Sequence, residues 1–171
     1  MFKIAITTLK GHVSRAVDFY SKDSIYFCLG KSTAWEDESN PTVPLPTDDI
    51  SEILGYKLVE SKFLVKPSDK TSDISYNGTN WKIIPLKDAY SEGAKWVYIS
   101  SSIEFNEFSA KSYRQLGVCT GVTKKSKVAS GKSNLSPDDV ENSGVLEILD
   151  NRKPINRQSD QSEKISVIIE F

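Results

Sequence analysis

Histidine occurs once in this chain, at His12, and cysteine only twice, at Cys28 and Cys119. The cysteines stand alone inside apolar runs, with no CxxC spacing and no companion histidines. Neither a zinc site nor a disulfide scaffold is indicated, and buried reduced thiols are expected. A dominant charge is also missing: 22 Lys and Arg stand against 23 Asp and Glu, a formal net charge of −1. No global field therefore recruits nucleic acid or a membrane surface, and partners must be recognised locally. No stretch approaches the ~18 apolar residues of a membrane span. The opening MFKIAITTLKGHVSRAV is interrupted by Thr7, Thr8, Lys10 and His12 before a secretory apolar core could form, so a soluble, non-exported protein is expected.

Catalytic and nucleotide motifs are scarce as well. SKVASGKS ends like a phosphate-binding loop, but Ser126 occupies the position where GxxxxGK[ST] needs its first glycine. Lys124, Lys125, Lys127 and Lys132 lack the interleaved aromatics of a nucleic-acid surface and suit a solvated loop. His12 has no nucleophile or metal-ligand partner at a diagnostic spacing. The neighbouring acids Asp48-Asp49 and Asp138-Asp139 stand where the first turn of a helix favours negative charge, and adjacent helical residues point apart, so capping explains them better than acid–base chemistry. The sequon Asn77-Gly78-Thr79 carries no meaning in a chain that is not exported.

What the chain does have is period-two patterning. Its 171 residues suit one ordinary domain, residues 1–171, with a single core. SIYFCLG is apolar on both faces and reads as an internal strand, and ISVIIEF alternates and ends the chain inside a sheet. KLVESKFLV (57–65), WKIIPL, KWVYIS, IEFNEF and LGVCTGV are further β-branched or aromatic runs. Asn77-Gly78 suits either a tight hairpin or an irregular loop. Helices are few: Val13, Ala16, Val17 and Tyr20 share one helical face, and TDDISEIL offers Thr47 or Asp48 as a cap before Ile50, Ile53 and Leu54. The fold class expected is mainly β, a two-layer β-sandwich with a few short helices and long loops. Residues 31–49 carry Pro41, Pro44 and Pro46 and form a long extended loop around Trp35, which either anchors a partner or folds back on its own core.

SPDDVENSGVLEILDNRKPI (136–155) is densely punctuated. Ser136 can cap, Pro137 suits the first helical position, Asp139 can complete a capping box and Gly144 can end the helix in a left-handed conformation. A helix of barely two turns, a short strand VLEIL, a turn at Asp150-Asn151 and a stiff exit presenting Arg152 before Pro154 are predicted.

This segment, with DQSEKISVIIEF after it, resembles a baseplate wedge subunit of contractile-tailed bacteriophages, the gene-eight-product family. DFYSKDSIYFCLGKSTAW followed by PLPTDDI is similar to the family's strand, Gly-basic-Ser turn, tryptophan and proline-rich loop. WVYISSSIEFNEFSAKSYRQLGVCTGV is similar to its late pair of strands. The matches cover about two-thirds of the chain in the right order, and the chain looks like a shortened member that lacks the family's long insertion.

The resemblance implies a β-sandwich virion protein, made in the host cytoplasm and built into the tail baseplate. It would dimerise and touch other baseplate wedge proteins, without cofactor, metal, nucleic acid or membrane span. The residues expected at a partner interface are Trp35, Pro44, Pro46, Asp48, Arg152 and Pro154; for Arg152 an internal salt bridge to Asp150 is the competing role. Two other functions fit the residues: a tail-associated hydrolase using scattered carboxylates, and a carbohydrate- or host-binding module built on Trp35, Trp81 and Trp96.

Overall fold

A computed structural model describes residues 5–46, 49–70, 72–109 and 112–171. In chain order the elements are α1 (Leu9–Tyr20), β1 (Ile25–Gly30), β2 (Gly55–Leu58), β3 (Ser61–Pro67), β4 (Ile74–Tyr76), β5 (Thr79–Ile83), α2 (Ala89–Glu92), β6 (Trp96–Ile103), β7 (Tyr113–Thr120), β8 (Thr123–Lys124), β9 (Asn134–Leu135), β10 (Val140–Asn142), β11 (Val145–Ile155) and β12 (Glu163–Glu170). The described residues build two five-stranded sheets, ordered β11-β7-β1-β2-β9 and β12-β6-β3-β5-β4, and a small β10-β8 pair. The chain is mainly β, with few short helices and long loops, in keeping with the β-sandwich class. Its backbone divides into two compact units, one of Met1–Lys22, Glu60–Ser100 and Ser166–Phe171, the other of Asp23–Val59 and Ser101–Ile165.

In the first unit, the Thr8 hydroxyl accepts the Gly11 amide at 3.1 Å and so starts α1. Val13, Ala16 and Phe19 are buried along its inner face, and the Phe19 ring lies 5.1 Å from Phe171 at the chain end. Asn77 (φ 48°) and Gly78 (φ 75°) form a two-residue hairpin turn that sets Tyr76 opposite Thr79 and Ile74 opposite Trp81. The Tyr76 hydroxyl reaches the Ser166 carbonyl oxygen at 3.4 Å. Trp81 and Trp96 meet edge to face at 65°.

In the second unit β1 is the central strand and all six of its residues are buried. It pairs antiparallel with β2 and β7, and β7 pairs antiparallel with β11. Cys28 stands opposite Gly117 and Cys119 opposite Tyr26, so the two thiols are diagonal neighbours. Such positions are about 7–8 Å apart at Cα, too far for an unstrained disulfide. Both cysteines are free and buried, and the hydrogen bond with Cys119, aided by burial, pushes the Cys28 thiol pKa up. The core of this unit also holds a polar cluster. The Lys57 ammonium on β2 sits 2.8 Å from both carboxylate oxygens of Glu107, and Arg157 donates to the carbonyl oxygens of Glu107 (2.6 Å) and Glu104 (3.1 Å).

Several expectations need correction. The helix drawn over TDDISEIL is absent over 49–54, while its cap candidates Thr47 and Asp48 lie outside the described residues. The backbone there bonds outward instead: Ser51 O accepts Lys31 N (2.6 Å) and Leu54 N donates to Leu29 O (2.8 Å). The apolar spacing was real, because Ile50 and Ile53 pack on the Tyr26–Cys28–Tyr56 cluster. KLVESKFLV is two strands in two sheets, with Val59 N bonded to Ile25 O and Glu60 N to Ser100 O at the break. IEFNEF contributes only Ile103 to β6 and is otherwise a loop.

The two-turn helix after Ser136 is one 3-10 turn, Pro137–Asp139, followed directly by β10. Asp139 Oδ2 accepts both the amide and the hydroxyl of Ser136 at 2.8 Å, so the acidic partner was read correctly, but pairing with β8 takes the chain at Val140. Gly144 is left-handed (φ 69°), between β10 and β11 rather than at a helix end. No turn interrupts Asp150-Asn151; β11 runs through to Ile155, with register shifts at Leu146/Ile148 and Asn151/Ile155.

A Cβ at Gly144 would lie 2.1 Å from the Thr120 carbonyl oxygen, so Gly144→Ala should lower stability by about 2 kcal/mol or more in urea denaturation. Lys57→Met, which strands Glu107, should cost about 3 kcal/mol, and adding Glu107→Leu should recover much of that loss.

Candidate interaction surface

β11 is the edge strand of its sheet and has no fully buried residue along its 11 positions. A long exposed edge invites unwanted strand pairing unless something covers it. Here the cover is the proline-bearing segment 31–46, which follows β1. Prolines lack amide donors and hold the chain extended, so this stretch runs beside the strand as a strap without joining the ladder.

Side chains fix the strap. Buried Arg114, on β7, donates to Glu38 from Nε (2.9 and 3.0 Å) and to the Ser32 carbonyl oxygen from a terminal nitrogen (2.6 Å). The hydrogen bonds and charge of Arg114 hold the Glu38 carboxyl below its ordinary range. Glu52 accepts the Ser32 hydroxyl (2.6 Å), the Thr33 amide (2.8 Å) and the Thr33 hydroxyl (2.6 Å). These bonds, first among them that from Ser32, bring its pKa down to about 2. A polar relay continues across the sheet: Ser51 N donates to Gln115 Oε1 (2.9 Å), Gln115 Nε2 to Asn151 Oδ1 (3.0 Å) and Asn151 Nδ2 to the Thr42 carbonyl oxygen (3.0 Å).

Two residues expected at a partner interface meet each other. Trp35 Nε1 donates to the Arg152 carbonyl oxygen at 2.9 Å, and Lys31 Nζ lies 4.7 Å from the centre of the indole ring. The Arg152 guanidinium turns to Asp150, with Nε 3.0 Å from Oδ2. Both residues therefore brace their own unit, and both keep half-buried side chains. Pro44 and Pro154 are half-buried and Pro46 is exposed; Asp48 lies outside the described residues. The Trp35 side chain also lines a concavity of about 350 Å3 with Lys31, Asp37, Asn40 and Thr42.

The strap and β11 carry exposed apolar side chains among polar ones. Val43 is 82% exposed, Leu45 64% and Val145 61%. Pro44, Leu45 and Pro46 face Leu146 through Leu149 across a cleft of about 300 Å3. Sequence reasoning missed Arg114, Gln115, Glu38 and Glu52, whose partners lie 19 to 82 residues away. A basic-polar pair opening a strand was the one available signal, and it does not name its partners.

Among the described residues, no group of three or more His, Cys, Asp and Glu side chains forms a metal site, and no helix is long and apolar enough to cross a membrane. The carboxylates with a resolved shift, Asp37, Glu38, Glu52, Asp139 and Glu170, are all held low, chiefly by hydrogen bonds. In each, hydrogen bonds to the charged form favour ionisation. The chain is thus a mainly β protein whose charged and polar side chains at the strap bond chiefly within its own architecture. More particularly, residues 4–171 match the family model described as baseplate wedge 3 tail fiber network component, and the chain belongs to that family. It is also 36% identical over 173 residues to Virion protein 3 of Enterococcus phage phiEF24C, covering 97% of this chain and 94% of that protein.

Glu52 has a folded pKa below its ordinary 4.5, so its contribution is complete above about pH 4.5 and fades as pH falls towards about 2. Glu52→Gln should flatten this acid dependence, lowering the melting temperature near neutrality while changing it little at the acid end of the range, where Glu52 itself is becoming protonated. Trp35→Phe, which keeps a ring and removes the indole donor, should cost about 1 kcal/mol in denaturant unfolding.

Proposed function

We propose that this protein is a wedge component of a contractile tail baseplate that docks on neighbouring baseplate proteins through the strap and β11. Family membership gives the structural baseplate role. The observation that carries the docking surface is the exposure of Val43 and Leu45 on a strap pinned by Arg114 and Glu52, and of Val145 at the start of β11. An ordered apolar ridge loses little conformational freedom on docking, and apolar area with aromatic anchors typifies interface centres. Trp35, Pro44, Pro46, Arg152 and Pro154 belong to this surface in the proposal, together with Asp48. Trp35 and Arg152 shape it from within, and the prolines and apolar side chains meet the partner.

Kinship with the gene-eight-product wedge subunits, shortening relative to them, and homodimerisation are further parts of this reading. It needs no nucleic acid and no catalytic step. The carbohydrate-binding alternative draws no support from Trp81 and Trp96, whose 65° tilt makes no coplanar sugar platform.

The single-domain expectation enters the proposal too. One cooperative unfolding step is what a single domain predicts.

Val43→Ser combined with Leu45→Ser should leave the melting temperature unchanged and reduce incorporation into purified particles at least about tenfold by quantitative mass spectrometry. Normal incorporation would remove the ridge from the interface. Calorimetry of the isolated chain should show a single transition; two separated transitions would overturn the one-domain reading.

A further inference from the structure

Asn77 and Gly78 are exposed at the tip of the β4–β5 hairpin, and they are the one Asn-Gly pair in the sequence. A Cβ at Gly78 would meet nothing within 4 Å, so the space around its backbone nitrogen is open. Two other asparagines are tied down. Asn142 Oδ1 accepts the Gly144 amide at 2.8 Å, and the Asn151 side chain bridges Gln115 and Thr42. Among the described residues, Asn77 makes no side-chain hydrogen bond. The turn also closes a three-residue strand at the sheet edge, where local opening costs least.

We propose that Asn77–Gly78 is a site of spontaneous covalent rearrangement. The Gly78 amide nitrogen attacks the Asn77 side-chain carbonyl carbon, and the new C–N bond closes a five-membered succinimide. The side-chain amide nitrogen leaves as ammonia, taking up the proton that the Gly78 amide gives up. Water then adds to one of the two imide carbonyls and opens the ring. One product is aspartate. The other is isoaspartate, in which the backbone runs through the former side-chain carbon. No oxidant, metal or cofactor takes part.

Isoaspartate adds one backbone carbon to a turn whose length fixes the strand register. The Tyr76–Thr79 pairing and the Tyr76 tether to Ser166 are what that extra carbon displaces.

The test incubates the folded protein at mildly alkaline pH beside the synthetic peptide ISYNGTNWK, followed by peptide mapping and enzymatic methylation of isoaspartate. The expected result is a gain of about 1 Da at Asn77, in both isomers, at a rate within roughly tenfold of the peptide, with Asn142 and Asn151 unchanged. Retention of the Asn77 amide while the peptide converts would overturn the proposal, as would equal conversion at Asn142 and Asn151. Asn77→Asp supplies the charge without the extra carbon. Aged wild type should melt below that variant, and equal melting would refute the register effect.

Discussion

Arg114 and Gln115, two buried polar side chains at the start of β7, tie together the parts of this protein that face outward. Arg114 turns its guanidinium to Glu38 and to the Ser32 carbonyl oxygen, and Gln115 passes hydrogen bonds from Ser51 to Asn151 and on to Thr42. A buried guanidinium must find acceptors or carry a large desolvation cost. The strap supplies them, so its position follows from β7's need for satisfied donors as much as from its own prolines. With those two side chains removed, the segment from Lys31 to Pro46 would keep its stiffness but would be held to the sheet only by Glu52, Trp35 and Asn151.

The same logic governs the edge. Pairing with β7 fixes one side of β11, and the strap shields the other through Trp35 and Thr42 without adding a strand. Pro154, the Asn151/Ile155 irregularity and the Arg152–Asp150 pair further blunt its exit. An edge closed this way resists indiscriminate pairing yet still presents Val43, Leu45 and Val145. The Lys57–Glu107 pair and Arg157 play the corresponding part in the core, holding the loop after β6 where an apolar substitute would pack without fixing direction.

Much of the secondary structure was legible because period and turn chemistry are local. SIYFCLG is the buried central strand, Asn77-Gly78 is a hairpin turn, and the face containing Val13 and Ala16 is the buried face of α1. The Asp139 cap partner and the left-handed Gly144 were legible for the same reason. Misreadings fell where a tertiary partner outbid local preference. Ile50 and Ile53 have helical spacing, but the backbone of Ser51 and Leu54 bonds to Lys31, Gln115 and Leu29. Val140 left its helical turn for β8. KLVESKFLV concealed a change of sheet, because apolar residues flank the break on both sides and the exposed Glu60 that marks it reads equally well as an outward-facing position within one strand.

Within the candidate site the sequence alone supplied the proline-stiffened loop, its tryptophan and the Arg152–Pro154 exit, since stiffness, ring size and charge belong to individual residues. It could not show that Trp35 bonds to Arg152 117 positions away, or that Glu38, Glu52, Arg114 and Gln115 join the loop to the sheet. Composition and spacing determined a mainly β chain whose scarce histidine and cysteine offer no metal or disulfide framework. Only the tertiary structure decided which edge is covered, by which segment and through which polar pairs. Those pairings span distances along the chain over which sequence pattern carries no signal, and they are selected by the cost of leaving buried donors and acceptors unmet.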